Sequence, residues 1–239
     1  MIMQFAIIAA GEGSRLIQEG IKIPKPLIKI NGKPMIERIL KQAMDAGSKK
    51  IHIIINENSN VLKEYIELKK SIFPINLVIK STLSSMHSLY ELSGYLKDDS
   101  FCLSTVDTIF DKSEFLNFIN YSVQNKNASG VIAVTGFIDD EKPLYVKTDE
   151  NEYITEFSDD HNNHELITGG LYYFKPIIFD TLKRAVNSGS KHLRNFLKML
   201  IHDGHTLKSY KFSKMIDVDH KKDIELAEEF LNKAQEYRN

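Results

Sequence analysis

The sequence predicts an α/β fold in which helices cover both faces of a mixed, mainly parallel sheet, three layers in all. Three observations predict it. Phe5-Ala-Ile-Ile-Ala-Ala10 is a continuous apolar run closed by Gly11 and Gly13, as expected of a central strand covered on both faces. Strand-like and helix-like segments then alternate as far as residue 106, the rhythm of parallel strands joined by crossover helices. With 239 residues and 42% hydrophobic content, the chain can bury a large core, so a single domain over 1–239 is expected.

After the first strand, residues 35–47 place Met35, Ile36, Ile39, Leu40, Ala43 and Met44 on one stripe, with Pro34 at the start and Gly47 at the end, which predicts an amphipathic helix. A strand over 51–55, a helix over 61–68, a strand over 76–80, a helix over 85–95 and a buried strand over 101–106 follow. Beyond about residue 130 the apolar runs at 131–137, 144–147, 153–157 and 171–174 leave little room for helices, so these strands are read as antiparallel additions. Helices at 176–186 and 193–202, a strand at 207–212 and a helix at 222–237 complete the chain. The last carries Ile224, Ala227, Phe230, Leu231 and Ala234 on one face. No internal repeat or low-complexity linker interrupts this order.

Thirty-two acidic side chains face 31 basic ones, and no run of five like charges marks a nucleic-acid arm or a polybasic membrane segment. The expected partner is therefore a small molecule, with no nucleic acid and no membrane. Cys102 alone can form neither an internal disulfide nor a thiolate zinc site, which points to a reduced, cytoplasmic protein. The apolar start lacks a basic flank and runs straight into the glycine loop, so it fits neither a membrane span nor a signal peptide. Homo-oligomerisation is left open.

The loop Ala9-Ala10-Gly11-Glu12-Gly13-Ser14-Arg15-Leu16 follows the first strand, where its glycines let backbone N–H groups turn toward an anion. It is a phosphate-binding candidate. Leu16 stands where a dinucleotide fingerprint needs glycine or alanine, and the Gly-Lys-Ser/Thr ending of a Walker loop is absent. The plainer alternative is a glycine turn that only joins strand to helix. Pro24 and Pro26 fix the backbone around Lys25, so its ammonium is held toward the loop more firmly than in a flexible segment. Asp107 closes the buried strand at the carboxyl edge of the sheet, where α/β proteins place ligands.

The glycine loop, Arg15, Pro24-Lys25-Pro26-Leu27 and Asn31-Gly32-Lys33-Pro34 opening a helix together resemble the sugar-phosphate nucleotidyltransferase family, which includes sugar-nucleotide pyrophosphorylases and phosphocholine cytidylyltransferases. The resemblance implies a Rossmann-like fold of the nucleotide-diphospho-sugar transferase type. It implies a nucleotide-binding half over 1–127 and an acceptor-binding half over 128–239 that carries a second metal ligand. It further implies transfer of a nucleoside monophosphate from a triphosphate to a sugar 1-phosphate, with Mg2+ as cofactor. The small phosphorylated acceptor could equally be phosphocholine, and a regulatory protein without turnover is a third reading. The joint presence of Arg15, Lys25, Asp107 and Asp219 argues against the third.

Magnesium prefers one or two carboxylates and completes its shell with water and phosphate oxygens. Asp107 is the first expected ligand. Met215-Ile-Asp-Val-Asp-His-Lys-Lys-Asp-Ile224 resembles the family's passage into its final helix, which makes Asp219 the second and Asp217 a further ligand or a supporting carboxylate. The alternative for Asp219 is the N-cap of that helix. On the family's pattern, residues 9–14 hold the triphosphate, Arg15 pairs with the outer phosphates and Lys25 stands at the reacting ones. Ser85 and Ser88 are assigned to base and ribose, with ordinary N-capping as the alternative, and Gly169 and Gly170 to close approach of the acceptor. Glu156-Phe-Ser occupies the place where many sugar-specific members carry Glu-Lys-Pro. The pair His161 and His164 beside Asp159 and Asp160 reads as a polar loop and Cys102 as a buried hydrophobe, since neither offers a fixed ligand set or an activating neighbour.

Overall fold

A computed structural model of the chain describes residues 3–139, 141–161 and 164–236, with only the backbone of 235 and 236. The first half runs β1 (Gln4–Ala9), α1 (Ser14–Gln18), β2 (Lys29–Ile30), β3 (Lys33–Pro34), α2 (Met35–Asp45), β4 (Lys50–Ile55), α3 (Asn60–Lys69), β5 (Ile75–Ile79), α4 (Ser85–Leu92), β6 (Phe101–Thr105), β7 (Thr108–Phe110) and α5 (Lys112–Gln124). The second runs β8 (Gly130–Thr135), β9 (Tyr145–Thr148), β10 (Ile154–Ser158), β11 (Leu166–Phe174), α6 (Phe179–Asn187), α7 (Leu193–His202), β12 (Leu207–Phe212), β13 (Met215–Asp217) and α8 (Lys221–Glu236). Residue 237, assigned to the last helix from sequence, lies outside the described residues.

Among the described residues, nine strands form one sheet. β5, β4, β1 and β6 pair in parallel, and β11 joins antiparallel to β6. β8 and β12 are parallel to each other on the far side of β11, while β9 and β10 extend the sheet antiparallel. The expectation of antiparallel additions therefore holds for the pairings of β8, β9, β10 and β11 with one another, and β12, a strand given no direction from sequence, joins β8 in parallel.

Alternation along β1 separates two cores. Phe5, Ile7 and Ala9 pack with α2, α3 and α5 on one face, and Ala6 and Ile8 pack with α4, α6 and α7 on the other. Helix α5 was not anticipated. Its start is legible in retrospect, because the Asp111 side chain accepts the N–H groups of Ser113 and Glu114 and Phe115, Phe118, Ile119 and Ser122 form its buried stripe.

A third cluster positions the site. Leu16, Ile28, Ile30 and Met35 from the N-terminal segment pack with Ile109, Ile216, Val218, Ala227 and Leu231. Burying side chains such as Leu16, Ile30 and Val218 contributes about 1.5–3 kcal/mol each. This small core binds two segments some 200 residues apart in sequence. Within it β7 and β13 form a two-stranded antiparallel ribbon, Thr108 opposite Asp217, and the Val218 N–H donates to the Asp107 carbonyl at 3.1 Å. The register therefore fixes Asp107 and Asp219 at one end of the ribbon.

No helix among the described residues is long and apolar enough to cross a membrane.

Candidate active site

Lys25 opens a single 3-10 turn between Pro24 and Pro26, and its side chain is 8% exposed. Its Nζ donates to Asp107 Oδ2 at 2.6 Å and to Asp219 Oδ1 at 2.7 Å. Arg15, on the short helix α1, donates to the other oxygen of Asp219, Oδ2, at 2.5 Å, and its second terminal nitrogen lies 3.3 Å from Glu141. The four residues singled out from both ends of the sequence thus form one continuous ion-paired cluster. Burial opposes the ammonium form of Lys25, but Asp107, Asp217 and Asp219 around it outweigh burial and raise its pKa well above the ordinary value. Burial likewise opposes ionisation of Asp107, and the Lys25 ammonium overcomes it and holds the carboxyl below its usual range.

Asp219 is not the cap of α8. The N–H groups of Asp219 and His220 donate back to Asp223 Oδ2, at 2.9 and 2.6 Å, and the Lys221 N–H donates to Glu19. The Asp219 carboxylate is thereby free to face Arg15 and Lys25. Asp217 adds to the negative charge around Lys25 and lines a polar pocket with Thr168 and Tyr172. Among the described residues no group of three or more His, Cys, Asp or Glu side chains is placed to hold a metal ion.

The two-carboxylate arrangement nevertheless fits magnesium. Asp107 and Asp219 converge closely enough to share one nitrogen, both offer hard oxygen donors, and Asp107 Oδ1 is buried without a hydrogen-bond partner.

Gly13 has φ +65° and caps α1, and a Cβ there would stand 3.0 Å from Lys25 Cβ. A Cβ on Gly11 would meet nothing within 4 Å, so that backbone opens into space. Ala10, Gly11, Glu12, Lys25, Ser85 and Asp107 are among the walls of a cleft of about 1270 Å³. Ala9 lines a second hollow of about 790 Å³ behind the loop, with Gly11 and Glu12 shared between the two. Ser14, the first residue of α1, is exposed.

Ser85 faces the cleft, whereas Ser88 is buried with its hydroxyl 2.7 Å from that of Thr82. Ser88 also lines the cleft, its hydroxyl shared with that of Thr82. The N-cap of α4 is Ser84, not Ser85, and its hydroxyl bonds His87.

Gly169 and Gly170 are needed for packing within the chain. A Cβ on Gly169 would lie 2.2 Å from Met215 Sδ, and one on Gly170, at φ +70°, would lie 2.5 Å from Thr108 Oγ1 and 2.6 Å from Thr105 Oγ1. Gly170→Ala is expected to destabilise the fold by roughly 2–4 kcal/mol, combining left-handed strain with overpacking, as measured by urea denaturation. A stability change under about 0.5 kcal/mol would show that this contact can relax freely.

Gly170 also lines a polar pocket of about 770 Å³ with Thr168, Tyr172, His192, Arg194 and Asp217. Ser85 and Thr105 border both this pocket and the larger cleft, so the two meet beside the ion-paired cluster. Phe157, which stands in place of the expected lysine, is buried in the core. Arg194 lines the polar pocket, its guanidinium held by Asp159 at 2.8 Å and the Lys142 carbonyl at 2.6 Å. Sequence reasoning missed Thr105, Arg194 and Glu141. Thr105 shared the strand-end position that identified Asp107, while Arg194 and Glu141 belong to no motif.

The sequence model of the nucleotidyl transferase family matches residues 5–234. The chain is 29% identical over 209 residues to the bifunctional protein GlmU of Methanococcus vannielii, covering 83% of this chain and 48% of that protein, so it spans about half the length of that relative. It is 24% identical over 237 residues to the UTP–glucose-1-phosphate uridylyltransferase AglF of Haloferax volcanii, covering 96% of each. In fold it is similar to the inositol-1-phosphate CTP transferase of T. maritima, with a TM-score of 0.81, 18% identity and coverage of 98% and 97%. A UDP-glucose pyrophosphorylase complexed with UDP-glucose gives a TM-score of 0.80 at 18% identity, covering 98% and 99%.

Proposed function

Because the chain belongs to the nucleotidyl transferase family, we propose that it transfers a nucleoside monophosphate from a nucleoside triphosphate to a sugar 1-phosphate and releases pyrophosphate. The observation that carries this reading is Lys25 held between Asp107 and Asp219 where two clefts meet. In-line displacement at a phosphoryl centre needs charge neutralisation and alignment at one point shared by donor and acceptor. The larger cleft takes the nucleotide and the polar pocket takes the acceptor, so residues 1–127 serve mainly the donor and 128–239 the acceptor.

An acceptor phosphate oxygen attacks the α-phosphorus. The new P–O bond forms as the bond to the β-phosphate oxygen breaks, and pyrophosphate carries away the electron pair. The open backbone at Gly11 and the left-handed turn at Gly13 let residues 11–14 approach the β- and γ-phosphates, with Ala9 and Ala10 as the floor. Arg15 turns its fork to the outer phosphates, and Lys25 neutralises charge at the reacting group. Ser85 contacts the ribose from the cleft wall. Asp107 and Asp219 hold Mg2+, which supplies charge neutralisation at the phosphates.

On the acceptor side, Thr168, Tyr172, His192 and Asp217 offer polar groups for hydroxyls, and Arg194 supplies positive charge. Tyr172 is the single aromatic among Tyr, Phe and Trp on that wall, which does not make the aromatic cage that a quaternary ammonium requires. This favours a polyhydroxylated acceptor over phosphocholine. The buried, lone Cys102 suits a reduced compartment, and we place the enzyme in the cytoplasm.

The test is pyrophosphate release with magnesium, pairing each of four nucleoside triphosphates with aldose 1-phosphates, inositol phosphate and phosphocholine. Release that requires both a triphosphate and a sugar 1-phosphate is expected. Absence of release in every pairing overturns the reading, and release with phosphocholine alone reassigns the acceptor.

A further inference from the structure

The two carboxylates that suit a divalent cation are already ion-paired within the chain. Asp219 gives Oδ1 to Lys25 and Oδ2 to Arg15, and Asp107 gives Oδ2 to Lys25. Asp107 Oδ1 alone is left without a hydrogen bond, and it is buried. Lys25 and Arg15 thus occupy three of the four carboxylate oxygens, so a second cation meets occupied oxygens and their positive charge, with Asp217 and Glu141 adding negative charge around the pair. A divalent ion has to displace the ammonium to bridge the pair.

We propose that Lys25 and Arg15 act as built-in counter-ions that keep a divalent cation off Asp107 and Asp219 until a nucleoside triphosphate draws them away, so that metal and nucleotide enter together. This rests on the nucleotidyl transfer reading above. A triphosphate offers both cations multiply charged oxygen acceptors, including the paired oxygens that suit the arginine fork. The two counter-ions are unequally movable. Arg15 is 42% exposed on a five-residue helix that follows the left-handed Gly13, so its side chain can swing. Lys25 is fixed at the backbone by its flanking prolines, so only its four-carbon stem moves. Once either cation turns to phosphate, carboxylate oxygens become available beside the ligand that completes a magnesium shell. Metal affinity and nucleotide affinity are then coupled, each raising the other by the same factor.

The experiment is titration of free Mn2+ by electron paramagnetic resonance, on the wild type, Lys25→Met and Arg15→Gln, each shown to be folded by circular dichroism. Wild type is expected to bind Mn2+ weakly by itself. Lys25→Met should bind it roughly tenfold or more tightly in the absence of nucleotide, and Arg15→Gln should shift the same way to a smaller extent. A non-hydrolysable triphosphate should strengthen Mn2+ binding to wild type and lose most of that effect in Lys25→Met. If Lys25→Met does not fold, Arg15→Gln decides alone. Tight Mn2+ binding to wild type without nucleotide, or no tightening in the folded variants, overturns the proposal. Tightening in the variants with no binding of the triphosphate to wild type would keep the counter-ion effect and overturn the nucleotidyl transfer reading.

Discussion

Lys25→Ala is expected to reduce pyrophosphate release roughly 10²–10³-fold, because it removes a preorganised cation from the reacting phosphates. It should also weaken the fold. The ammonium is 8% exposed and neutralises Asp107, 22% exposed, and Asp219, 34% exposed. Removing one partner of a buried pair costs about 3–5 kcal/mol, and the partial exposure of Asp219 together with its remaining bond to Arg15 puts the expected loss near the lower figure. The pH dependence separates this cause from a simple cavity. In the wild type Asp107 titrates below its unfolded value, so its contribution is present above that value and is lost as pH falls through the folded one. In Lys25→Ala the burial of Asp107 is opposed only by hydrogen bonds from Thr105 and the backbone, so its carboxylate loses most of what favours ionisation and its contribution to stability at neutral pH falls. Denaturation at pH 7 and pH 4 should show the deficit of the variant shrinking at the lower pH. An equal deficit at both would reject the electrostatic explanation.

Asp107→Asn and Asp219→Asn are each expected to lower pyrophosphate release by about 10²-fold or more. Both keep the side-chain shape and a carbonyl oxygen for Lys25, so the fold should survive in each. The two differ in what else they disturb. Asp219→Asn also weakens the pairing of Arg15, so it should raise the KM for the triphosphate, whereas Asp107→Asn acts mainly on kcat. Steady-state kinetics in varied triphosphate and varied acceptor checks this, and wild-type rates in either variant would remove that residue from the mechanism.

Much of the fold is legible in the order of apolar runs. The β1 run, the α2 stripe and the α7 helix over 193–202 were placed because period and length agree with burial on the sheet. Helix α5 escaped although Phe115, Phe118, Ile119 and Ser122 have helical spacing and Asp111 marks the start. The β7–β13 ribbon and the β2–β3 hairpin escaped because strands of two or three residues are too short to show a period. The doubled reading of β11 has a related cause. Its glycines suggest ligand approach, yet the space they leave is taken by Met215, Thr105 and Thr108, residues distant in sequence.

By itself the sequence determined the layered α/β class, the glycine loop after the first strand, the lysine clamped between prolines, the carboxylate Asp107 closing a buried strand and Asp219 at the passage into the last helix. Each follows from local chemistry: backbone freedom, ring constraint and apolar periodicity act within a few residues. The tertiary structure decided that Asp219 pairs with Arg15 and Lys25 instead of capping α8, that the Ser88 hydroxyl meets that of Thr82, and that Phe157 is buried in the core while Arg194 lines the polar pocket. The first of those outcomes depends on the third small core, where Leu16, Ile30 and Met35 meet Ile216, Val218 and Leu231 and bring both ends of the chain together. A carboxylate's role is set by the charges packed against it, and sequence spacing does not record which distant segment arrives there.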